Sequence, residues 1–338
     1  MRRKFNEENE RIKRQYLHFL REAKRCDNAT VDKAADAILA FERSSGFKSF
    51  KVFKIEQAVA FKRQLETGRS KRTGNALAKS TIDGTLRGVK AFVLWLAGQP
   101  GYKSRISYSD AEYFNLNAKD ARIAHADRES AFPTLQQCRH AFSLMPENSD
   151  VERRNKAMFA FLMLTGIRDG AMASLRLKRI DMSDRCVNQD PRDVKTKFAK
   201  TFTTWFFPVD PIYEQYFAGW ISHLQQKLLF GPEDACFPKT IIEPLNGSYA
   251  VVGLSRTPYS SAAKVRKTIR SAFISAGLPA FAPHSFRKTL VILGVNACKT
   301  QEEFKAWSLN LGHDSVITTI SSYCPVSTQR QRELIQAM

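Results

Sequence analysis

From Asn117 to Ala131 this chain is polar, shows no apolar period and runs into Pro133, so the residues on either side must each bury a core of their own. At 338 residues there is chain enough for two domains of ordinary size. Before the break, apolar residues recur at helical spacing. Val31, Ala34, Ile38 and Phe41 share one face after Thr30, which the pattern places as an N-cap. A further helix is expected over 55–65, and Ser80 with Asp83 opens another that carries Ile82, Leu86, Val89, Phe92 and Leu96. Residues 1–27 are highly charged, with Ile12, Tyr16 and Phe19 at helical spacing, and are read as an added amphipathic helix. The expected division is therefore 1–27 added helix, 28–116 helical domain, 117–131 linker and 132–338 second domain.

The second domain is expected to be helices around a small antiparallel sheet. Thr134 and Gln137 open it with a capping box. After Asp181 the period changes to Arg185-Cys186-Val187, a polar break, and then the β-former-rich run Thr201 to Phe207, ended by Pro208. Pro279 to Pro283 marks a turn into a helix whose buried stripe is Phe286, Leu290 and Leu293. On that helix His284 and Arg287, three apart, share a face expected to be turned towards a ligand.

Charge narrows the choice of partner. Lys and Arg number 53 against 33 Asp and Glu, a net charge of +20. Up to residue 130 there are 27 basic and 16 acidic side chains, so that part holds +11 and the remainder +9. Basic bodies on both sides of the break fit a protein that grips a polyanion from two sides, with binding that falls steeply as salt rises. Between two of the helices lies the basic loop Arg69 to Asn75. Its Arg69, Lys71 and Arg72, with Arg87 and Lys90 on the far side of the following helix, are candidate phosphate contacts. The six cysteines show no CxxC pair and no metal-ligand spacing with the histidines, and read as reduced thiols; no metal or other cofactor is expected. The basic start is followed by no apolar run, and the longest apolar stretches, near Ala91–Leu96 and Ala157–Leu164, are too short to span a bilayer. The expectation is a soluble cytoplasmic protein that makes no membrane contact and associates with the nucleoid. No repeats, low-complexity tracts or glycine-rich phosphate loops are present.

The chemistry is concentrated in four short segments: Leu164-Thr165-Gly166-Ile167-Arg168, then Pro283-His284-Ser285-Phe286-Arg287, then Leu311-Gly312-His313, and Tyr323. A phosphodiester repels nucleophiles, and its transition state places more charge on the non-bridging oxygens, so fixed cationic donors are required there. Guanidinium forks match phosphate oxygens in a bidentate manner and stay protonated, which assigns that role to Arg168 and Arg287. A tyrosine nucleophile, with an ordinary pKa of about 10, needs cationic surroundings or a base, and His284 is the candidate base.

TGxR, HxxR, LGH and a tyrosine ten residues on, in this order and with these separations, resemble the tyrosine recombinase (phage integrase) family. The likeness covers roughly residues 133–325, and more loosely 30–115. It implies a mainly α (α+β) fold, with an N-terminal helical core-binding (SAM-like) bundle and a catalytic domain of helices with a small antiparallel β-sheet. It implies a site-specific recombinase or integrase of a mobile genetic element that cuts and rejoins double-stranded DNA, with Tyr323 joined to the 3' phosphate. By the same resemblance His313 donates a hydrogen bond to the scissile phosphate, and a hairpin lysine protonates the leaving 5' oxygen. Lys195, Lys197 and Lys200 compete for that place; Lys197 best fits the family pattern, Lys195 is the reserve, and the remaining lysines are read as backbone contacts on DNA. Where the family commonly carries an acid three positions after the first arginine, this chain has Ala171, with Asp169 closer in. Family members assemble as four subunits on two DNA sites, two on each, some with accessory recombination proteins; the segment after Tyr323 is a candidate contact between protomers, or equally one that folds back on its own domain. Two other outcomes suit the same residues: a type IB topoisomerase-like relaxing enzyme, and an accessory DNA-binding protein with weak or no catalysis.

Overall fold

The computed structural model describes residues 5–70, 73–126, 131–196, 200–245, 248–313, 315–323 and 328–336. The chain divides into two compact units, Met1–Arg128 and Glu129–Met338.

The first unit is helical throughout: α1 (Glu7–Glu22), α2 (Asn28–Ser44), α3 (Ile55–Thr67), α4 (Lys79–Ala97), a 3-10 turn over Tyr108–Phe114, and α5 (Ala118–His125). The apolar stripes read from the sequence meet in one core, in which Ile38, Phe41, Phe61, Leu86, Val89, Phe92 and Phe114 are buried. Edge-to-face ring pairs such as Phe41–Phe114, 5.3 Å between centroids, fill it. Helix starts differ from expectation in two places. Asp27, three residues before Thr30, caps α2 by accepting from the Thr30 amide at 2.7 Å. A carboxylate reaches that amide as well as a hydroxyl does, so the Thr30 signal belonged to the first turn. α4 begins at Lys79, after Ala78, with no side-chain cap from Ser80. Residues 118–125, expected as linker, form α5, capped by Asn117 and tied to α4 by the Lys79–Asp120 pair at 2.8 Å.

The helix read as an addition is built into this core. Ile12 and Tyr16 are buried in it, and α1 meets α2 through buried polar groups, Asn9 and Glu42 at 0 % exposure and Lys13 at 9 %. Glu42, 0 % exposed, accepts from the Asn9 amide at 3.0 Å and pairs with Lys13; Asn9 also donates to Lys48 O at 2.9 Å and accepts from the Phe50 amide at 3.0 Å. Removing one partner of such a buried pair strands the other, which costs roughly 3–5 kcal/mol.

The second unit is built around α7 (Asp150–Thr165), which follows α6 (Leu135–Ser143). Ala157 to Thr165 are all buried, and a helix apolar on every side belongs at the centre of a domain. The capping box at Thr134 and Gln137 forms as the sequence indicates. After α7 come α8 (Asp169–Ser174), β1 (Ile180–Asp181), β2 (Cys186–Gln189) and β3 (Phe202–Trp205), the last three an antiparallel sheet in the order 1-2-3 with Val187 opposite both Ile180 and Thr204. α9 (Pro211–Ser222) packs on α7 through Phe217, whose ring lies 4.6 Å from that of Phe161. A second two-stranded sheet, β4 (Thr240–Leu245) with β5 (Ser248–Leu254), has no counterpart in the sequence reading. α10 (Ala263–Ser275), α11 (Pro283–Ala297), α12 (Gln301–Asn310), α13 (Val316–Tyr323) and α14 (Thr328–Gln336) complete the unit. Phe286 of α11 seats against Phe159 of α7 at 4.9 Å, fixing the helix that carries HxxR. No described helix is long and apolar enough to cross a membrane.

Glu42→Ala is expected to destabilise the first unit by roughly 3–5 kcal/mol, read as a loss of amide hydrogen-exchange protection in α2 and α4 of the full chain. Unchanged protection there would show that the Lys13–Glu42–Asn9 contact contributes little.

Candidate active site

The site begins where α7 stops. Gly166 takes the left-handed conformation, φ 56° and ψ 22°, and its amide closes the helix on Leu162 O at 2.8 Å. A β-carbon there would stand 2.9 Å from both Leu290 Cδ1 and Leu311 Cδ2, so the turn requires glycine for its space as well as its backbone. The Gly166 carbonyl accepts from Arg287 Nη1 at 2.7 Å. Arg287 Nη2 donates to Leu311 O and lies 2.9 Å from His313 Nε2. TGxR, HxxR and LGH, separated by up to 147 positions from Gly166 to His313, thus meet on one guanidinium.

The reason lies in helix ends. Gly166 O and Leu311 O stand at the carboxyl ends of α7 and α12, where carbonyls have no partner within the helix and the helix dipole favours a cation. The expectation was one face of α11 carrying both His284 and Arg287 towards a ligand; instead Arg287 is 2 % exposed and turned into the unit, while His284, at the second position of α11, is exposed. Periodicity placed them near each other but did not register the two carbonyls that draw Arg287 inwards.

Arg168 follows two residues after Gly166, as the residue preceding α8. It is half-buried, and among the described residues its guanidinium makes no hydrogen bond or ion pair. Asp169 does not buttress it. That carboxylate accepts from the Gly170 amide at 2.8 Å and pairs with Arg266 of α10, while Ala171 lies in the core.

His313 is 4 % exposed, and its Nδ1 lies 2.7 Å from Thr319 Oγ1, which is 2.6 Å from Ser308 Oγ. The preceding Gly312, at φ 71°, abuts the Phe202 ring, where a β-carbon would come within 2.6 Å. Asn310 then docks on β3 like an added strand: its side chain accepts from the Trp205 amide at 2.8 Å and donates to Trp205 O at 2.9 Å, and its carbonyl accepts from Thr204 Oγ1 at 3.0 Å. The sheet whose β2–β3 connection carries the candidate lysines is thereby anchored to the LGH segment.

Lys197 lies outside the described residues. Lys195 donates from its backbone to Ser174 Oγ at 2.8 Å and from Nζ to Ser260 O at 2.7 Å. Lys200 Nζ sits 6.0 Å from the Phe202 ring centroid. Ahead of these lysines a turn is held by charge. Hydrogen bonds from Arg192, side chain first and backbone second, hold the Asp190 carboxyl well below the usual carboxylate range. At Asp193 burial pulls upwards, but Lys178 and Arg179 together outweigh it and keep that carboxyl low as well. The backbone of Tyr323 closes α13; its side chain lies outside what is described.

In the first unit, Arg69 donates to Gly74 O at 3.1 Å, Arg87 pairs with Asp83 at 2.9 Å, and Lys90 pairs with Glu112 at 2.9 Å; Lys71 and Arg72 lie outside the described residues. Asp83 is buried, whereas the Arg87 and Glu112 ends of these pairs are exposed, and solvent-exposed ion pairs contribute little. Among the described residues no three His, Cys, Asp or Glu side chains gather as metal ligands. The sequence reading gave no role to Ser308, Asn310 or Thr319. Each is a small polar residue at a helix end or on a helix face, and its partner is fixed only by the fold.

No curated relative matches the sequence. Several solved structures share the fold. An integrase of the Tn1549 transposon, solved with transposon right end DNA, matches with a TM-score of 0.59 at 16 % identity, over 97 % of this chain and 99 % of that one. The XerH site-specific recombinase, bound to a palindromic difH substrate after cleavage, gives 0.58 at 17 %, over 96 % and 84 %. A lambda integrase dimer on a COC' core site gives 0.54 at 14 %, over 91 % and 95 %. The phage integrase family model matches residues 135–330, more than half of the chain and every motif gathered around Arg287, and the chain therefore belongs to the phage integrase family, the tyrosine-type site-specific recombinases.

Proposed function

We propose that this recombinase cuts and rejoins duplex DNA through a 3'-phosphotyrosyl intermediate formed on Tyr323, with Arg168 and Arg287 holding the scissile phosphate. The observation that carries the assignment is the meeting of three motifs on Arg287, with Arg168 two residues beyond the carbonyl that Arg287 holds. Each arginine then has its own part. Arg287 is fixed by two helix ends, and Arg168, which makes no ion pair among the described residues, supplies a bidentate fork.

His284, at the amino end of α11, takes the phenol proton as Tyr323 attacks phosphorus. The 5' oxygen leaves with a proton from Lys197, since the reserve candidate Lys195 holds Ser260 O with its ammonium. His313 accepts from Arg287 in the free protein. Where a phosphate oxygen takes that Arg287 N–H, a proton taken up from solvent at Nε2 turns His313 into a donor to the phosphate. Attack forms one O–P bond and breaks another, so the reverse step needs only an incoming 5' hydroxyl. No cofactor is called for.

The partner is double-stranded DNA, engaged by the basic surfaces of both units. Assembly follows as four protomers on two sites. What supports it is an apolar groove of about 890 Å³ in the second unit, bordered by Phe202, Trp205, Phe207, Ala306 and Trp307, which suits α14 of a neighbouring copy. Service of a mobile genetic element, with help from accessory proteins, fits the family. Neither the topoisomerase nor the accessory-protein reading gains an observation of its own.

A nicked suicide duplex incubated with the protein is expected to give a covalent adduct that Tyr323→Phe abolishes while gel-shift affinity is kept; an adduct surviving in that variant would place the nucleophile elsewhere. Arg168→Lys, which replaces a fork by a point charge, is expected to slow single-turnover cleavage by about 100-fold or more. A rate within threefold of wild type would remove Arg168 from the phosphate site. Deleting the residues after Val326 should leave single-site binding intact and abolish paired-site complexes in native gels. Undiminished pairing would mean α14 is not the contact.

A further inference from the structure

Behind His313 lies a polar chain that the chemistry above does not use. Ser308 of α12 and Thr319 of α13 are both 0 % exposed, their hydroxyl oxygens 2.6 Å apart, and Thr319 Oγ1 is 2.7 Å from His313 Nδ1. Hydroxyls buried this deeply are kept for what they bond, since each one left unmet costs about 1–3 kcal/mol.

The direction of the chain follows from its first member. A guanidinium has N–H groups and no acceptor, so where Arg287 Nη2 meets His313 Nε2 at 2.9 Å the imidazole must accept. A neutral ring that accepts at Nε2 carries its proton on Nδ1. That N–H therefore donates to Thr319 Oγ1, and Thr319 shares a further hydrogen bond with Ser308 Oγ, in which either hydroxyl can be the donor. The alternative tautomer would set an Nε2 proton against an arginine proton. The placement of Thr319 adds a mechanical consequence: it lies one helical turn before Tyr323 on α13, so the same hydroxyl that selects the tautomer also ties the helix of the tyrosine to the loop of the histidine.

We propose that Thr319 and Ser308 are positioning residues for strand cleavage: a buried hydroxyl relay that holds His313 as its Nδ1–H tautomer, keeps Nε2 directed at Arg287 and sets the seat of α13. This rests on the roles given above to His313 and Tyr323. In the relay no bond is made or broken; it fixes which ring nitrogen can exchange a proton at the phosphate. When the imidazole gains its second proton there, the Nδ1–H to Thr319 bond is unchanged, so one scaffold serves both states.

Two measurements on the full chain test it. In nitrogen-15 histidine-labelled protein, with His313 assigned by comparison with His313→Gln, the free enzyme is expected to show the Nδ1–H tautomer; an Nε2–H signal overturns the relay. In single-turnover cleavage of the suicide duplex, Thr319→Val is expected to slow the chemical step roughly 10- to 100-fold with DNA affinity within about twofold, and Thr319→Ser, which restores the hydroxyl alone, to return it to within about threefold of wild type. Ser308→Ala should fall between. Wild-type rates in Thr319→Val, or an equal loss in Thr319→Ser and Thr319→Val, overturn the proposal by assigning the effect to packing. Should Thr319→Val lose DNA binding through misfolding, the tautomer of the wild-type ring still decides. Absence of a Tyr323 adduct in wild type would sink the site reading and leave the tautomer result standing by itself.

Discussion

Two helices of the second unit, α7 and α12, end against the same side chain, and the site is organised by that arrangement. Carbonyls at a helix carboxyl end lack an intrahelical partner, and burying them unmet is costly. Arg287 meets one from each helix, Gly166 O and Leu311 O, and a cation there also lies at the negative end of both dipoles. A lysine could satisfy one such end as a point charge but could not span two with fixed, diverging N–H groups. The contact that closes two helices also fixes the side chain proposed as a phosphate donor, so on that proposal stability and chemistry draw on the same residue.

From that point the order spreads through short-range constraints. Gly166 permits the approach of α7 to α11 and α12, because a side chain would overlap Leu290 and Leu311. Gly312 does the same against Phe202, and Asn310 joins β3 as a strand would, so β3 and the LGH segment are held together. Phe286 on Phe159 holds α11 from the core side. The chemical residues sit at loops and helix ends, and the rigid elements behind them make those ends reproducible.

How much of this the sequence carries depends on range. The four motifs, the Thr134 capping box and the apolar stripes of α2 and α4 were legible because each is a pattern of near neighbours. The basic charge was legible as a property of composition. What was not legible depends on partners far away along the chain. Arg287 was expected to share a ligand-facing side with His284, since three-residue spacing reports which residues share a face and not which distant carbonyls will meet it. Asn310 finds Trp205 across 105 positions, and nothing in Leu309-Asn310-Leu311 announces a strand mimic. Asp27 displaced Thr30 as a cap through local competition between two good candidates. The β4–β5 ribbon escaped because Ile242, Tyr249 and Val251 leave much of their surface in water, so its strands lack the half-buried alternation by which a strand is recognised.

The two arginines also differ in what binding a phosphate asks of them. Arg287 is already ordered, so a phosphate that takes one of its N–H groups must compete with a carbonyl or with His313. Arg168 begins with a rotatable side chain on a backbone that Gly166 and α8 hold in place. Ordering that side chain costs at most about 2 kcal/mol, whereas each charge-assisted hydrogen bond to the phosphate returns about 1.5–3 kcal/mol. A bidentate contact therefore exceeds its entropic cost and a single one barely does. On the roles proposed for them, one fixed and one adjustable guanidinium would favour a ligand that offers two oxygens at once, as the non-bridging pair of a phosphodiester does.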